Sequence, residues 1–420
     1  MNAPARKIEV VSFGCRLNLV ESEAMRVAAE RAGTGDAILV NTCAVTADSV
    51  RQARQTIRRL RRENPHARIV VSGCAVETER ARFAAMTEID ALLGNAQKTD
   101  PAAWRALDAG ALAFEPVAGA RRAQALEARA VEGHTRAFLA VQNGCDHRCT
   151  FCIIPYGRGP SRSLPAGAVV DAARRLVDAG HKDVVLTGVD LTSWGADLPG
   201  RPTLGRLVRQ ILRHAPRLQR LRLSSLDCIE ADDELMRALA EEERLAPHLH
   251  LSLQAGDDLV LKRMKRRHLR ADAVRFCAEA RRLRPDIVFG ADLIAGFPTE
   301  TDAMFENTLR LVEDCGVTHI HAFPFSPRPG TPAARMPQVE RAVVKARALR
   351  LREQGERRLA AHLSAQVGRT IDVLAERGGC GRAHDFTLVA TPGVEPGALF
   401  RATVAGHDGA KLILGNSAAQ

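Results

Sequence analysis

A chain of 420 residues with 46% hydrophobic content is long enough for two or three domains with real cores, which excludes a disordered tail or a peptide-sized scaffold. Lysine and arginine number 60 against 49 aspartates and glutamates, a net charge of +11, so the balance favours nucleic acid or another polyanion as partner. Ten cysteines, no apolar signal core at the start and no apolar run long enough to span a bilayer point to a reducing, cytoplasmic setting, not a disulfide framework or a membrane.

From about Lys7 to Ala113 the pattern reads as three strand-helix units. Short runs at Ile8 to Phe13, Ile38 to Asn41 and Ile69 to Ser72 each lead into a cysteine: Cys15, Cys43 and Cys74. Residues just past the carboxyl ends of parallel strands converge on one crevice, so three thiols distant in sequence meet there. For any one of them, a small buried hydrophobe is the ordinary alternative. Glu21 to Ala32 reads as a helix. Ser49 to Glu63 reads as another, with Val50, Ala53, Ile57 and Leu60 on one face and Arg51, Arg54, Arg58 and Arg62 on another. Such an arginine stripe suits RNA phosphates; a solvated helix face is the alternative.

Ala-, Arg- and Gly-rich sequence over 114–133 reads as a linker. Then strands near Ala137 to Val141, Asp183 to Thr187, Leu218 to Leu223, His248 to Leu253, Ile287 to Leu293 and Thr318 to Phe323 alternate with helices. Six such units make a partial (β/α)6 barrel whose site lies at the carboxyl ends of the strands. The loop after the first strand carries Cys145, Cys149 and Cys152 in a C-x3-C-x2-C run. Three closely spaced thiolates hold three irons of a four-iron, four-sulfur cluster and leave the fourth iron open. Zinc would need a fourth ligand, for which His147 lies inside the loop. Gly157 to Arg162 is glycine-rich but lacks the Lys-Ser/Thr ending of a phosphate loop. After a helical stretch from about Val339 to Gln366, short strands at Thr370 to Leu374, Thr387 to Val389, Leu399 to Val404 and Lys411 to Leu414 predict a small β barrel. Cys228, Cys277, Cys315 and Cys380 read as ordinary core or surface thiols.

The cysteine loop, with Phe151 before its last thiol, resembles that of the radical S-adenosylmethionine (SAM) enzymes. Three cysteines in an amino-terminal domain, this loop and a terminal β barrel together resemble the radical SAM methylthiotransferases over nearly the whole chain. The runs Phe13 to Glu23, Gly290 to Pro298 and His321 to Thr331 are similar to the MtaB-type tRNA enzymes of that family. The resemblance implies an amino-terminal cluster-binding domain (6–113), the linker (114–133), a radical SAM domain (134–364) and a TRAM-like RNA-binding barrel (365–420).

It also implies two 4Fe-4S clusters. One, on Cys145, Cys149 and Cys152, cleaves SAM to a deoxyadenosyl radical; the other, on Cys15, Cys43 and Cys74, delivers sulfur. Phe151, Gly188, Asp190, Ser252, Gln254 and Asp292 are the expected SAM contacts, although a histidine is frequent in the MtaB group where this chain has Asp190. The implied substrate is N6-threonylcarbamoyl-adenosine at position 37 of tRNA, methylthiolated at carbon 2, with tRNA and a reduced flavodoxin- or ferredoxin-type donor as partners. Alternatives within the family are isopentenyl-adenosine in tRNA and a ribosomal-protein aspartate. A non-catalytic iron-sulfur protein that binds RNA or senses redox state is the alternative outside it.

Overall fold

The computed structural model describes residues 8–111, 114–120, 123 and 133–415. It divides into two compact units, one of Met1–Val131, Gln142–Leu164 and Ser326–Ala334, the other of Glu132–Val141, Pro165–Phe325 and Arg335–Gln420. Among the described residues no helix is long and apolar enough to cross a membrane.

In the first unit β1 (Ile8–Ser12), β2 (Ala37–Thr42), β3 (Arg68–Gly73) and the two-residue β4 (Ala91–Leu92) form a parallel sheet in the order 1-2-3-4. Helices cover its faces, so β2 is buried at every residue and its side chains need no polar alternation. The first helix, α1 (Arg16–Ala32), begins ahead of the expected Glu21: Cys15 is its N-cap, and Leu17 and Val20 already face the core. It stops at Gly33, whose φ of 77° allows its N–H to close on Ala29 and Glu30 carbonyls. In α2 (Ala47–Glu63) the Thr46 hydroxyl caps the Ser49 N–H at 3.1 Å, and the predicted stripe of Val50, Ala53, Ile57 and Leu60 is buried. Each of the larger three contributes on the order of 2 kcal/mol of burial.

Short helices α3 (Cys74–Thr78), α4 (Arg80–Ala84) and α5 (Pro101–Asp108) complete the layer. Of the expected linker, 121–122 and 124–132 lie outside the described residues. Its start packs into the first unit, with Val117 buried and its N–H on Glu77 Oε2 at 3.2 Å. After β5 (Ala137–Ala140), which belongs to the second unit, the chain rejoins the first as a hairpin. There β6 (Gln142–Asn143) pairs antiparallel with β7 (Arg162–Ser163) and encloses the cysteine loop and the helix α6 (Ile154–Arg158).

The second unit holds the six expected barrel strands, all parallel. β5 pairs with β8 (Asp183–Thr187) and β8 with β9 (Arg220–Leu223). The third strand breaks at Ser224, whose N–H turns to Leu186 O, and resumes as β10 (Ser225–Leu226). β10 then pairs with β11 (His248–Gln254), β11 with β12 (Val288–Ala295) and β12 with β13 (Val317–Pro324). Leu249, Leu251 and Leu253 are fully buried, so period-2 alternation puts His248, His250, Ser252 and Gln254 on the opposite, inner face of β11.

A helix, Arg341–Gln366, leads to β14 (Thr370–Glu376), β15 (Cys380–Ala383), β16 (Leu388–Ala390), β17 (Leu399–His407) and β18 (Leu412–Leu414). They close into a barrel in the order 14-15-16-18-17 around Val373, Ala383, Val389, Val404 and Leu412, capped by Leu363 from the helix. β15 went unforeseen because its Cys-Gly-Arg-Ala run lacks a strand's branched residues. The turn after it seats Phe386 on His248, ring centroids 4.8 Å apart. Arg222 holds that turn by donating to the carbonyls of Ala383 at 2.9 Å and His384 at 2.8 Å.

Candidate functional site

The register of the first sheet aligns Ser12 with Asn41 and Asn41 with Ser72. Cys15, Cys43 and Cys74 therefore leave three neighbouring strands at one level. Gly14, at φ 92°, lets the first turn close over the second thiol: a Cβ there would lie 2.7 Å from both Cβ and Sγ of Cys43. Cys15 is exposed, while Cys43 and Cys74 are buried. Burial pushes the Cys43 thiol up to about 11, with the Cys74 and Cys15 thiols adding to the rise. Burial also raises Cys74, against the pull of Arg158 and Lys98. The buried Cys43 and Cys74 thiols, costly to ionise alone, match a site whose charge a bound iron cluster completes.

A buried polar network lies beside these thiols. Arg158 donates through Nη1 to Glu21 Oε1 at 2.7 Å, through Nη2 to Oε2 at 3.1 Å, and through Nη2 to Asn18 Oδ1. Lys98 Nζ, fully buried, donates to Glu21 Oε2 at 2.7 Å, Asn95 Oδ1 at 2.7 Å and Asn41 Oδ1 at 3.1 Å. Burial alone would raise the Glu21 carboxyl; the two cations outweigh it and hold it down at about 2.

The same network grips the second cysteine triplet from both ends. Asn143, before the loop, donates to Glu21 Oε1 at 2.9 Å, and Arg158 follows the loop on α6. The loop itself is braced. Cys145 N–H donates to Gly159 O and Cys152 N–H to Cys149 O, both at 3.1 Å, and Asp146 accepts the Ser161 N–H at 3.1 Å. Gly144, at φ 76°, passes so close to Pro160 that a Cβ would overlap its carbonyl oxygen. Cys145, Cys149 and Cys152 stay half-buried. Within this unit α6 also meets the first site: a Cβ on Gly157 would be 3.1 Å from Cys74 Cβ, and Asn95 donates to Gly157 O at 2.6 Å.

Of the expected SAM contacts, Phe151 belongs to the first unit and the rest to the second. Gly188 and Asp190 follow β8, and Asp190 takes the Ser193 hydroxyl at 2.7 Å. Ser252 and Gln254 end β11, with Gln254 at φ 67°. Asp292 lies on β12, where its Oδ1 accepts from His250 Nε2 at 2.9 Å and His321 Nδ1 at 3.2 Å. Along α2, Arg51, Arg58 and Arg62 are exposed and Arg54 half-buried; Arg51 pairs with Asp48 at 2.8 Å and Arg58 with Glu88 at 3.5 Å. Sequence reasoning missed Glu21, Lys98, Asn143 and Arg158 as one network, and His250 and His321 as partners of Asp292.

Residues 139–312 match the model of the radical SAM superfamily, and residues 7–94 that of a family described as "Uncharacterized protein family UPF0004". The chain is 44% identical over 381 residues to the threonylcarbamoyladenosine tRNA methylthiotransferase MtaB of Rickettsia prowazekii, covering 91% of this chain and 90% of the relative. The Bacillus subtilis protein of the same name is 32% identical over 87% of this chain and 84% of its own. A tRNA-2-methylthio-N(6)-dimethylallyladenosine synthase of Erythrobacter litoralis is 35% identical over 88% and 86%. Among solved structures the radical SAM methyltransferase TsrM of Kitasatospora setae has a similar fold, with a TM-score of 0.56 at 18% identity over 74% of this chain and 68% of that one. Cluster-loop geometry, domain pattern and relatives agree, and the chain belongs to the radical SAM methylthiotransferase family, in its MtaB-type branch.

Proposed function

We propose that this chain methylthiolates carbon 2 of N6-threonylcarbamoyl-adenosine at position 37 of tRNA. The observation that carries the reading is the pairing of two separate three-thiol sites, one at aligned strand ends and one on a braced loop. Each triplet supplies three soft ligands and leaves a fourth position free, as a reactive cluster needs and a structural one does not. When bound, the clusters and SAM supply the radical, the sulfur and the methyl group.

The chain's own residues hold and orient. Cys145, Cys149 and Cys152 hold the radical-generating cluster and Cys15, Cys43 and Cys74 the sulfur-delivering one. Glu21, Arg158 and Lys98 tie the helix after Cys15 to the segments that flank the second triplet. Phe151, Gly188, Asp190, Ser252 and Gln254 are our assignment for SAM. Asp292 lies on the same inner face as Ser252, but its Oδ1 already accepts from two histidines, which gives it a different part. Arg51, Arg54, Arg58 and Arg62 and the terminal barrel are assigned to tRNA phosphates. A reduced flavodoxin- or ferredoxin-type donor supplies electrons in the cytoplasm.

Anaerobically reconstituted protein, SAM and tRNA bearing threonylcarbamoyl-adenosine, followed by nucleoside mass spectrometry, test the reading. The methylthio form of that nucleoside is expected. Methylthiolation of isopentenyl-adenosine instead would move the chain to the other tRNA branch.

A further inference from the structure

The inner face of the six-stranded barrel carries a cluster that ligation and SAM binding leave unused. His250 on β11, Asp292 on β12 and His321 on β13 stand on three adjacent strands, with Asp292 opposite His321 in the register. Both imidazoles aim a ring nitrogen at the same oxygen, Asp292 Oδ1. Gly290 makes room for this: a Cβ there would sit 2.5 Å from His250 Nδ1. One step toward the amino ends of the strands, His248, His319 and Phe386 pack ring against ring and close the interior. The cluster is therefore approached from the carboxyl ends, where a barrel of this kind receives its substrate.

Its two histidines are not equivalent. The His250 side chain is 13% exposed and that of His321 is 61% exposed. With Nδ1 committed to Asp292, His321 presents Nε2 outward on the other side of its ring. Two positions further along β13, Phe323 is 39% exposed and stands edge-on to His321, ring centroids 6.4 Å apart, an aromatic surface on which a nucleobase can stack. Burial opposes the charge on Asp292, yet the two histidines hold its carboxyl well below the usual range, so the pair beside it is built around a negative charge.

We propose that His321, oriented by Asp292 with His250 behind it, reads the acidic N6 substituent of the substrate nucleoside. Its Nδ1 faces Asp292, and Nε2 is the ring nitrogen left to meet the threonyl carboxylate. This assignment rests on the substrate reading above and names the residue that selects it. His321 touches the substrate; Asp292 and His250 are positioning residues. A divalent metal is the competing occupant, since two histidines and a carboxylate with ligand atoms within 4.8 Å of one another resemble a metal triad. The exposed Phe323 ring beside His321 favours the substrate, since a nucleobase uses an aromatic face and a metal does not.

The test uses the full reconstituted chain, tRNA bearing threonylcarbamoyl-adenosine and the same tRNA with unmodified adenosine. Wild type is expected to bind the modified tRNA about tenfold more tightly, the worth of one charge-assisted hydrogen bond. His321→Phe should erase most of that ratio and raise KM for the modified tRNA more than it lowers kcat. His321→Gln, which keeps a donor, should restore part of it. Asp292→Asn should lower the ratio less than His321→Phe, with iron content per folded chain unchanged in all variants. An unmoved ratio in His321→Phe would overturn the assignment, as would a stoichiometric metal other than iron that disappears in that variant. Wild-type enzyme that leaves threonylcarbamoyl-adenosine without a methylthio group would overturn the substrate reading itself, and the assignment with it.

Discussion

Arg158 closes a two-pronged ion pair on Glu21 from 137 positions away, Nη1 on Oε1 at 2.7 Å and Nη2 on Oε2 at 3.1 Å. The pair joins the helix that Cys15 caps to the helix that follows Cys152. Replacing Glu21 by Gln leaves Arg158 and Lys98 buried without their carboxylate, and the expected loss is about 3 kcal/mol in urea unfolding of the metal-free chain. The Glu21 carboxyl is depressed to about 2 from an ordinary 4.5, so its contribution is complete above about pH 4.5 and lost as pH falls toward 2. Wild type and Glu21→Gln should therefore differ at neutral pH and converge in acid. Equal midpoints at pH 7 would show that the pair contributes nothing net.

The terminal barrel is packed into the strands before it, because Phe386 lies on His248 and Arg222 holds the turn around it. Phe386→Ala should cost about 3 kcal/mol through the lost ring packing. Removal of everything after Gln366 should yield an aggregating or unfolded radical SAM barrel. A truncated chain that keeps wild-type thermal stability would assign the turn to surface contact only.

Histidines at that junction make the fold acid-sensitive. Burial holds His319 down at about 4, with His362 adding to the effect. Burial together with Arg220 and Arg222 holds His384 down at about 3. Both stay neutral in the folded chain, while the unfolded chain takes up protons below about pH 6.5, so stability is full above that and falls as pH drops toward the folded values. At pH 5 each costs on the order of 2 kcal/mol. Melting temperature followed from pH 7.5 to 5 should fall, and His384→Gln should flatten the slope. A profile that is level over this range would contradict the neutral, buried state of these rings.

For the arginine stripe the expectation is electrostatic. Changing Arg51, Arg54, Arg58 and Arg62 together to Gln should weaken tRNA binding and lower the salt slope by up to about three, because each phosphate contact releases close to one counterion. The ion pairs of Arg51 with Asp48 and Arg58 with Glu88 reduce what those two have to offer. An unchanged slope would make α2 a solvated face.

Strand positions were legible because Ile38 to Asn41, Ile69 to Ser72 and the barrel segments are branched apolar runs ending in glycine or polar residues. The thiols were legible because spacing alone groups Cys145, Cys149 and Cys152, and strand ends group Cys15, Cys43 and Cys74. The supporting network was not: Glu21 meets Lys98 across 77 positions and Arg158 across 137, and no local pattern encodes such a pairing. Alternating histidines at His248, His250, His319 and His321 were visible in the sequence. Their meaning needed the strand order that puts β12, with Asp292, between the strands of His250 and His321. The start of α1 was misplaced because Arg16 and Asn18 look like loop, whereas Asn18 is buried, its amide donating to Thr42 O at 3.1 Å.

Two cysteine sites with divided labour are the centre of this account, and the triple variant Cys15→Ala, Cys43→Ala, Cys74→Ala tests them most directly. Wild type reconstituted anaerobically should carry about eight irons and the variant about four. The variant should still form 5′-deoxyadenosine from SAM, since those three thiols take no part in that step, and should yield no methylthio nucleoside by mass spectrometry. Methylthiolated adenosine at wild-type yield, or iron content per folded chain equal to wild type, would contradict the two-site mechanism.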